Sequence, residues 1–92
     1  MGVRQLFELS GRVAVVTGGS RGLGLQIAEG LAEMGAKLVI TARKVEELAQ
    51  AQAHLEGQGA EVLAIPMDIA KPAAAAALVD AALARFGHID IL

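Results

Sequence analysis

Residues 13–24 read Val-Ala-Val-Val-Thr-Gly-Gly-Ser-Arg-Gly-Leu-Gly, an apolar run that passes directly into a glycine-rich turn. The near-continuous apolar run predicts a β-strand that is buried on both faces, as parallel strands are. Beyond the turn, apolar residues recur with the period of a helix. This stretch therefore predicts a strand, a tight turn and a helix in immediate succession, and the rest of the chain repeats a similar alternation.

The composition limits the class of protein. Of 92 residues, 54% are hydrophobic and only Phe7 and Phe86 are aromatic, a mixture typical of helices packed on a buried sheet. The length fits one small domain or part of a larger one. Eight basic and ten acidic residues give a net charge of -2 and form no basic stripe, so we expect no nucleic acid and no membrane surface as a partner.

Cysteine usage and the length of apolar segments bear on the environment of the protein. The chain has no cysteine, which excludes disulfides and Cys-ligated metals. No segment reaches the roughly 18 apolar residues of a membrane-spanning helix, and residues 1–10 lack the apolar core of a signal peptide. We therefore expect a cytoplasmic location.

Strands and helices are predicted in alternation along the whole chain. Strands are expected at residues 12–17, 37–41 and 61–67, with a fourth beginning at 89–92. The first helix ends at Gly35, the second covers residues 46–58, and the third begins at Pro72 and ends at Gly87. The first helix has one predicted apolar stripe of Leu23, Ile27 and Leu31, and the second carries Leu48, Ala51 and Leu55 on one side. The side chains of the third helix that are expected to face the sheet are Leu78, Val79, Ala82 and Phe86.

The connections predict the order of the strands. Right-handed crossovers place the second strand beside the first and the third beyond it, and Pro66, which has no amide to donate, fits an edge strand. The fourth strand belongs on the other side of the first, so the winding reverses at the carboxyl end of the first strand. We predict an α/β fold, the N-terminal part of a Rossmann-type doubly wound parallel sheet with the order 3-2-1 and the start of strand 4.

The glycine-rich turn lies at this reversal. Its pattern, Gly18-x-x-x-Gly22-x-Gly24, differs from the G-x-G-x-x-G dinucleotide fingerprint but obeys the same physics. Glycine permits positive φ and close approach of the backbone to phosphate, and the amides at a helix start attract an anion, to which Ser20 could add its hydroxyl. The glycines could instead form only a tight connection. The flanking strand and helix favour a site for a dinucleotide pyrophosphate, and the lack of a following Gly-Lys-Ser/Thr argues against a phosphate-cleaving P-loop.

Residues 17–24 resemble the Thr-Gly-x-x-x-Gly-x-Gly cofactor motif of the short-chain dehydrogenase/reductase family. Asp68-Ile69 is similar to the pair that this family places at the adenine ring, and residues 88–92 are similar to its lead-in to the fourth strand. The resemblance covers nearly the whole chain. The cofactor-binding residues that it and the strand ends imply are Thr17, Gly18, Ser20, Arg21, Gly22, Leu23, Gly24, Arg43, Asp68 and Ile69.

The end of the second strand predicts NADP in preference to NAD. An acid at that point marks NAD, whereas a nearby arginine accommodates the 2′-phosphate of NADP. Ala42 stands where the acid would be, Arg43 follows it, and Arg21 supplies a second guanidinium from the turn. A guanidinium can donate two charge-assisted hydrogen bonds to a phosphate. The alternative is that Arg43 and Lys44 form a solvated pair that opens a helix.

Other candidate residues carry weaker signals. Asp68 could accept the adenine amino hydrogen or help to cap the third helix near residues 70–72, and the resemblance favours adenine. His54 and His88 have no ligand or triad spacing, so we expect both on the surface and no metal site.

For the parent protein the resemblance implies hydride transfer between NADP(H) and a carbonyl or alcohol substrate, and a homo-oligomer. The family's Asn-Asn-Ala-Gly, catalytic Ser and Tyr-x-x-x-Lys are missing, so we assign no catalytic residue and expect residues 1–92 to be an incomplete NAD(P)-binding domain that is inactive alone. A free-standing nucleotide-binding or interaction module is the alternative. An S-adenosylmethionine enzyme is disfavoured by Ala42, because its ribose-binding acid is missing.

Overall fold

The computed structural model describes residues 9–91, so the predicted domain's residues 1–8 and Leu92 lie outside the described residues. Three strands alternate with three helices in the part of the chain that the structure describes. In chain order they are β1 (Val13–Thr17), α1 (Gly22–Glu33), β2 (Lys37–Ala42), α2 (Val45–Gly57), β3 (Val62–Pro66) and α3 (Ala74–Phe86). The predicted alternation is confirmed, with element boundaries that shift by one or two residues.

The sheet is parallel, with β2 between β1 and β3. On the far side of β1, Ile91 pairs in parallel with Ala14. The Val15 amide donates to the Ile91 carbonyl at 2.8 Å, and the Ile91 amide donates to the Val13 carbonyl at 3.0 Å. The predicted order and the reversal of winding beside β1 are therefore confirmed, and β3, which contains Pro66, pairs only with β2 among the described strands.

Both faces of the sheet are covered by helices, because successive side chains of a strand point to opposite faces. Ala14 and Val16 of β1 pack in a core under α1 and α2, where the predicted Leu48, Ala51 and Leu55 are all buried. Val13 and Val15 pack on the opposite face with Val39 of β2 and with Leu78 and Ala82 of α3. The expectation that the first strand is buried on both faces is confirmed.

The predicted apolar stripe of α1 is not the face that the structure buries. Leu23 is 72% exposed and Ile27 is 47% exposed, whereas Ala28 is fully buried. Leu31 is partly buried against the core. The helix is rotated so that Gly24 lies against the glycine-rich turn, and this close approach directs Ala28 and Leu31 inward while Leu23 and Ile27 face outward.

Two details of α3 also differ from prediction. Pro72 lies in the turn before the helix, not in its first turn, because α3 begins at Ala74. Val79 is 37% exposed, while Leu78 and Ala82 are buried and Phe86 packs partly against them. Residues 78, 82 and 86 follow one helical face at four-residue spacing, and Val79 lies one step around from it. Gly87 ends the helix in the left-handed conformation, as predicted.

A carboxylate fastens the segment after α3 to β1. Asp90 Oδ2 accepts the Val13 amide at 2.9 Å and lies 3.0 Å from His88 Nε2, while Oδ1 accepts Arg12 Nη1 at 3.3 Å. The hydrogen bond from the Val13 amide has the largest effect on the pKa of Asp90 and lowers it, while desolvation, the second largest, raises it. The hydrogen bond from Arg12 and the charges of His88 and Arg12 lower the pKa further, so the net shift is downward. Sequence reasoning identified this residue only by its resemblance to the fourth-strand lead-in.

Asp90→Asn is expected to lower the thermal midpoint at pH 7. A carboxyl whose pKa is lower in the folded state stabilises the fold above its unfolded pKa of about 3.9, and the contribution is lost as the pH falls through the folded value. The difference in thermal midpoint between wild type and Asp90→Asn should therefore disappear at acid pH. Thermal melts from pH 2 to 7 measure it, and Asp80→Asn on the exposed face of α3 is the matched control. A gap that is independent of pH, or equal for the two variants, would contradict the prediction.

Within residues 9–91, no helix combines the length and the apolar character needed to cross a membrane.

Candidate functional site

A cleft with a volume of about 500 Å³ opens at the carboxyl ends of the three strands. Six of the ten predicted site residues line it, namely Gly18, Ser20, Arg21, Arg43, Asp68 and Ile69. The remaining lining residues are Thr41, Ala42, Lys44, Glu47 and Met67. Thr17, Gly22, Leu23 and Gly24 do not line the cleft, although all four belong to β1, the turn after it or the start of α1.

The glycines of the turn are required for two different reasons. Gly18 has φ 69° and Gly22 has φ 60°, in the left-handed region that side chains disfavour, so the predicted positive φ is confirmed. Gly24 is needed for space, because a Cβ there would overlap the Gly18 carbonyl oxygen and lie 3.3 Å from the Cα of Gly19. The close packing at Gly24 is thus between the helix start and the turn.

The amides of this segment divide into two groups. Those of Gly18 and Gly19 donate to the Thr41 carbonyl, at 3.0 and 3.2 Å, which holds the turn against the end of β2. Those of Gly22, Leu23 and Gly24 find no acceptor within residues 9–91, since the first helical hydrogen bond of α1 is made by Leu25. No side chain caps this helix end. The start of α1 therefore presents unpaired donors and the positive end of the helix dipole, an arrangement suited to an anion.

Three cationic side chains surround the end of β2. Arg21 Nη1 lies 3.6 Å from Glu47 Oε1, and Lys44 Nζ lies 3.8 Å from the same oxygen. Arg43 forms no ion pair and no hydrogen bond within the described residues and is exposed to solvent. Ala42 offers no acid to a ribose, as the sequence indicates. The structure thus brings Arg21 and Arg43 to one cleft, as predicted, and adds Glu47, which sequence reasoning missed.

The carboxylate of Asp68 contacts the backbone near residues 70–72, where the sequence offered a capping role as an alternative to adenine binding. Its Oδ1 accepts the Ala70 amide at 3.0 Å, and its carbonyl accepts the Lys71 amide at 3.1 Å. The carboxylate therefore caps the turn that precedes α3, and does not cap the helix itself. Asp68 nevertheless lines the cleft with Ile69, which is 42% exposed, so both remain available to a ligand there.

The two histidines lie away from the cleft. His54 Nε2 is 3.7 Å from Glu29 Oε1, and His88 Nε2 is 3.0 Å from both the Gly11 carbonyl oxygen and Asp90 Oδ2. Both side chains are about half exposed, as predicted for surface residues, with values of 49% and 50%. Across residues 9–91, no group of three or more His, Cys, Asp or Glu side chains is placed to hold a metal ion.

Comparison with known proteins gives a consistent assignment. A family model described as short chain dehydrogenase matches residues 12–92. A 3-oxoacyl-[acyl-carrier-protein] reductase of rhamnolipid biosynthesis from Pseudomonas aeruginosa is 44% identical over 86 residues, which cover 94% of this chain and 33% of that protein. The chain spans about a third of the length of the curated relatives that it matches.

Two solved structures are similar in both sequence and fold. L-sorbose reductase from Gluconobacter frateurii, complexed with NADPH and L-sorbose, has a TM-score of 0.88 and 42% identity, and the match covers 91% of this chain and 32% of that one. A short chain dehydrogenase/reductase from Burkholderia phymatum in complex with NAD has a TM-score of 0.85 and 41% identity, over 90% of this chain and 30% of that one. The two neighbours thus hold different forms of the nicotinamide cofactor.

Proposed function

Because this chain belongs to the short-chain dehydrogenase family, we propose that it forms the N-terminal, NADP(H)-binding part of an oxidoreductase that acts on a carbonyl or alcohol substrate. The observation that carries the choice of NADP is the set of cations at the end of β2. Arg21 and Arg43 line one cleft, and Ala42 stands where an acid would favour NAD. The neighbours hold either NADPH or NAD, so this preference rests on the chain's own residues.

The residues fit the pyrophosphate of such a cofactor. The unpaired amides of Gly22, Leu23 and Gly24 would donate to its oxygens, with the Ser20 hydroxyl beside them. Gly18 lines the cleft without a side chain, so the backbone can approach closely. Leu23 is exposed at this helix end and available for contact with the bound molecule.

Different lining residues would hold the 2′-phosphate and the adenine ring. Arg21 and Arg43 would donate to the 2′-phosphate, while Asp68 and Ile69 would contact the adenine ring. Thr17 completes the predicted set at the end of β1, where it is exposed to solvent. When bound, the nicotinamide supplies or accepts the hydride, and the chain described here contributes its binding and orientation.

The second candidate is a nucleotide-binding module without catalysis. It would use the same cleft, whose lining residues bind the nucleotide in this proposal and carry no assigned catalytic role. For either candidate we propose that the 92-residue chain alone does not turn over carbonyl substrates. A cytoplasmic location and a homo-oligomeric longer protein are further parts of the first proposal.

Thermal unfolding with two nucleotides tests the proposed binding. The midpoint of the chain is expected to rise more with 2′,5′-ADP than with 5′-AMP at equal concentration, because only the first carries the additional phosphate. A ligand at about one hundred times its dissociation constant adds about 2.7 kcal/mol to the stability of the folded state that binds it. Circular dichroism follows the transition, and inorganic phosphate at the same concentration is the control.

Each outcome of this experiment separates one part of the proposal from the others. Equal shifts with the two nucleotides would contradict the preference for NADP while supporting nucleotide binding. No shift with either would contradict the cofactor site. Turnover of a carbonyl compound with NADPH by the pure chain would contradict the expected inactivity.

A further inference from the structure

Glu47 places a negative charge on the cations of the cleft. Its Oε1 lies 3.6 Å from Nη1 of Arg21, which belongs to the turn after β1. The same oxygen lies 3.8 Å from Nζ of Lys44, the residue that precedes α2. The Glu47 side chain is 33% exposed, whereas those of Arg21 and Lys44 are 75% and 69% exposed. The carboxylate therefore lies in the wall of the cleft, where it bridges two elements that contribute to the site.

The helix dipole does not account for this position. Glu46 and Glu47 both lie in the first turn of α2, where negative charge is favourable. Glu46 is exposed, does not line the cleft and forms no ion pair within the described residues. Of these two acids in one helical turn, only Glu47 contacts the cations of the cleft.

We propose that Glu47 tunes cofactor specificity by competing with the 2′-phosphate for Arg21 and Lys44, which reduces the preference of the cleft for NADP over NAD. This inference rests on the proposed function of the cleft. A phosphate that reaches Arg21 must share it with the carboxylate or displace it, and two like charges a few ångströms apart repel. NAD carries no charge at this position, so Glu47 leaves its binding unaffected. Arg43 has no acidic partner within residues 9–91, so the competition weakens phosphate binding without abolishing it.

Glu47→Gln isolates the charge of the carboxylate. We expect 2′,5′-ADP to bind about three- to tenfold more tightly than to wild type, with 5′-AMP unchanged within about twofold, in isothermal titration calorimetry at 0.1 M salt. Glu46→Gln, which removes the same charge from the same helical turn, should leave both affinities unchanged. The gain should fade at 1 M salt, where the screening length falls to about 3 Å.

A second variant excludes a direct contact from the new amide. Glu47→Ala removes the charge without adding a donor, so it has to shift the ratio of the two affinities in the same direction. Thermal melts of all three variants establish that the folded state is compared in each case.

The outcomes distinguish this inference from the function on which it rests. If wild type prefers 2′,5′-ADP and Glu47→Gln leaves that preference unchanged or weakens it, the competition is overturned and the cofactor assignment stands. If Glu47→Gln weakens 5′-AMP, the carboxylate contacts the ribose and the competition is again overturned. If wild type binds neither nucleotide, the proposed function and this inference both fail.

Discussion

Arg43→Ala is expected to weaken 2′,5′-ADP about ten- to hundredfold, the equivalent of one charge-assisted hydrogen bond, while 5′-AMP stays within about twofold of wild type. Arg43 lines the cleft but forms no ion pair or hydrogen bond within residues 9–91, so its removal takes nothing from the fold. The loss should therefore appear only where a 2′-phosphate is present. Calorimetric titration of both nucleotides against the folded variant measures it.

Arg85→Ala is the matched control for the loss of one positive charge. Arg85 lies in the last turn of α3 and does not line the cleft. Its removal should change neither affinity by more than about twofold, because an exposed charge outside the cleft is largely screened by salt. If Arg43→Ala weakened the binding of 2′,5′-ADP and 5′-AMP equally, Arg43 would not be the residue that binds the 2′-phosphate. Equal weakening by both variants would assign the effect to net charge alone.

Gly24→Ala is expected to destabilise the chain by about 3 kcal/mol or more, the upper range for an overpacked site. The added Cβ would overlap the Gly18 carbonyl oxygen and would also contact the Cα of Gly19. Both obstacles are backbone atoms of a turn that is held to β2 by two hydrogen bonds, so neither can move aside as a flexible side chain would. Denaturant unfolding measures the loss, and nucleotide binding should weaken with it because the turn has to shift.

Gly30→Ala tests the same exchange in the same helix without the obstacle. Gly30 lies in the middle of α1, and a Cβ there meets nothing within 4 Å. Alanine is favoured over glycine in a helix interior by about 0.5–1 kcal/mol, so this variant should be slightly more stable than wild type. A Gly24→Ala protein that unfolds at the wild-type midpoint would mean that the turn adapts at little cost.

Much of the architecture could be predicted from the sequence, because it depends on patterns that are local. The β-branched runs predict strands that are buried on both faces, and the handedness of crossovers then leaves one order for them. Gly35 and Gly87 have positive φ two residues beyond the end of α1 and one residue beyond the end of α3, close to the helix ends that the sequence predicts. Pro66 at the edge of the described sheet is a further case in which one residue's chemistry suffices.

The inward face of a helix is harder to predict when several of its faces are apolar. α1 has leucine or isoleucine at positions 23, 25, 27 and 31, so more than one stripe has a helical period. The choice among them is made by Gly24, whose fit against Gly18 fixes the rotation of the helix. That contact joins the helix to a turn, and nothing in helical periodicity encodes it. Val79 was assigned to the wrong face for a similar reason, since it adjoins Leu78 in an alanine-rich helix.

The candidate site follows the same division. The glycine pattern and the two arginines could be identified as candidates from spacing and residue type, because amides at a helix start and guanidinium groups both suit an anion. Glu47 could not, because an acid in the first turn of a helix is ordinary and its meeting with Arg21 depends on how α2 lies beside the turn. The capping alternative for Asp68 predicts a helix cap, whereas its carboxylate caps the turn before α3.

The carbonyl of Thr41 has a consequence for any attempt to change the proposed cofactor preference. It accepts the amides of both Gly18 and Gly19, while the next residues along the chain, Ala42 and Arg43, form the wall that would meet the ribose. The positions of the glycine-rich turn and of the residues that would meet the ribose thus both depend on the peptide group between Thr41 and Ala42. A substitution of Ala42 by an acid therefore has to leave the backbone at this position unchanged. If the new side chain displaces the backbone, the glycine-rich turn shifts with it, and we expect the affinity for both NAD and NADP to fall.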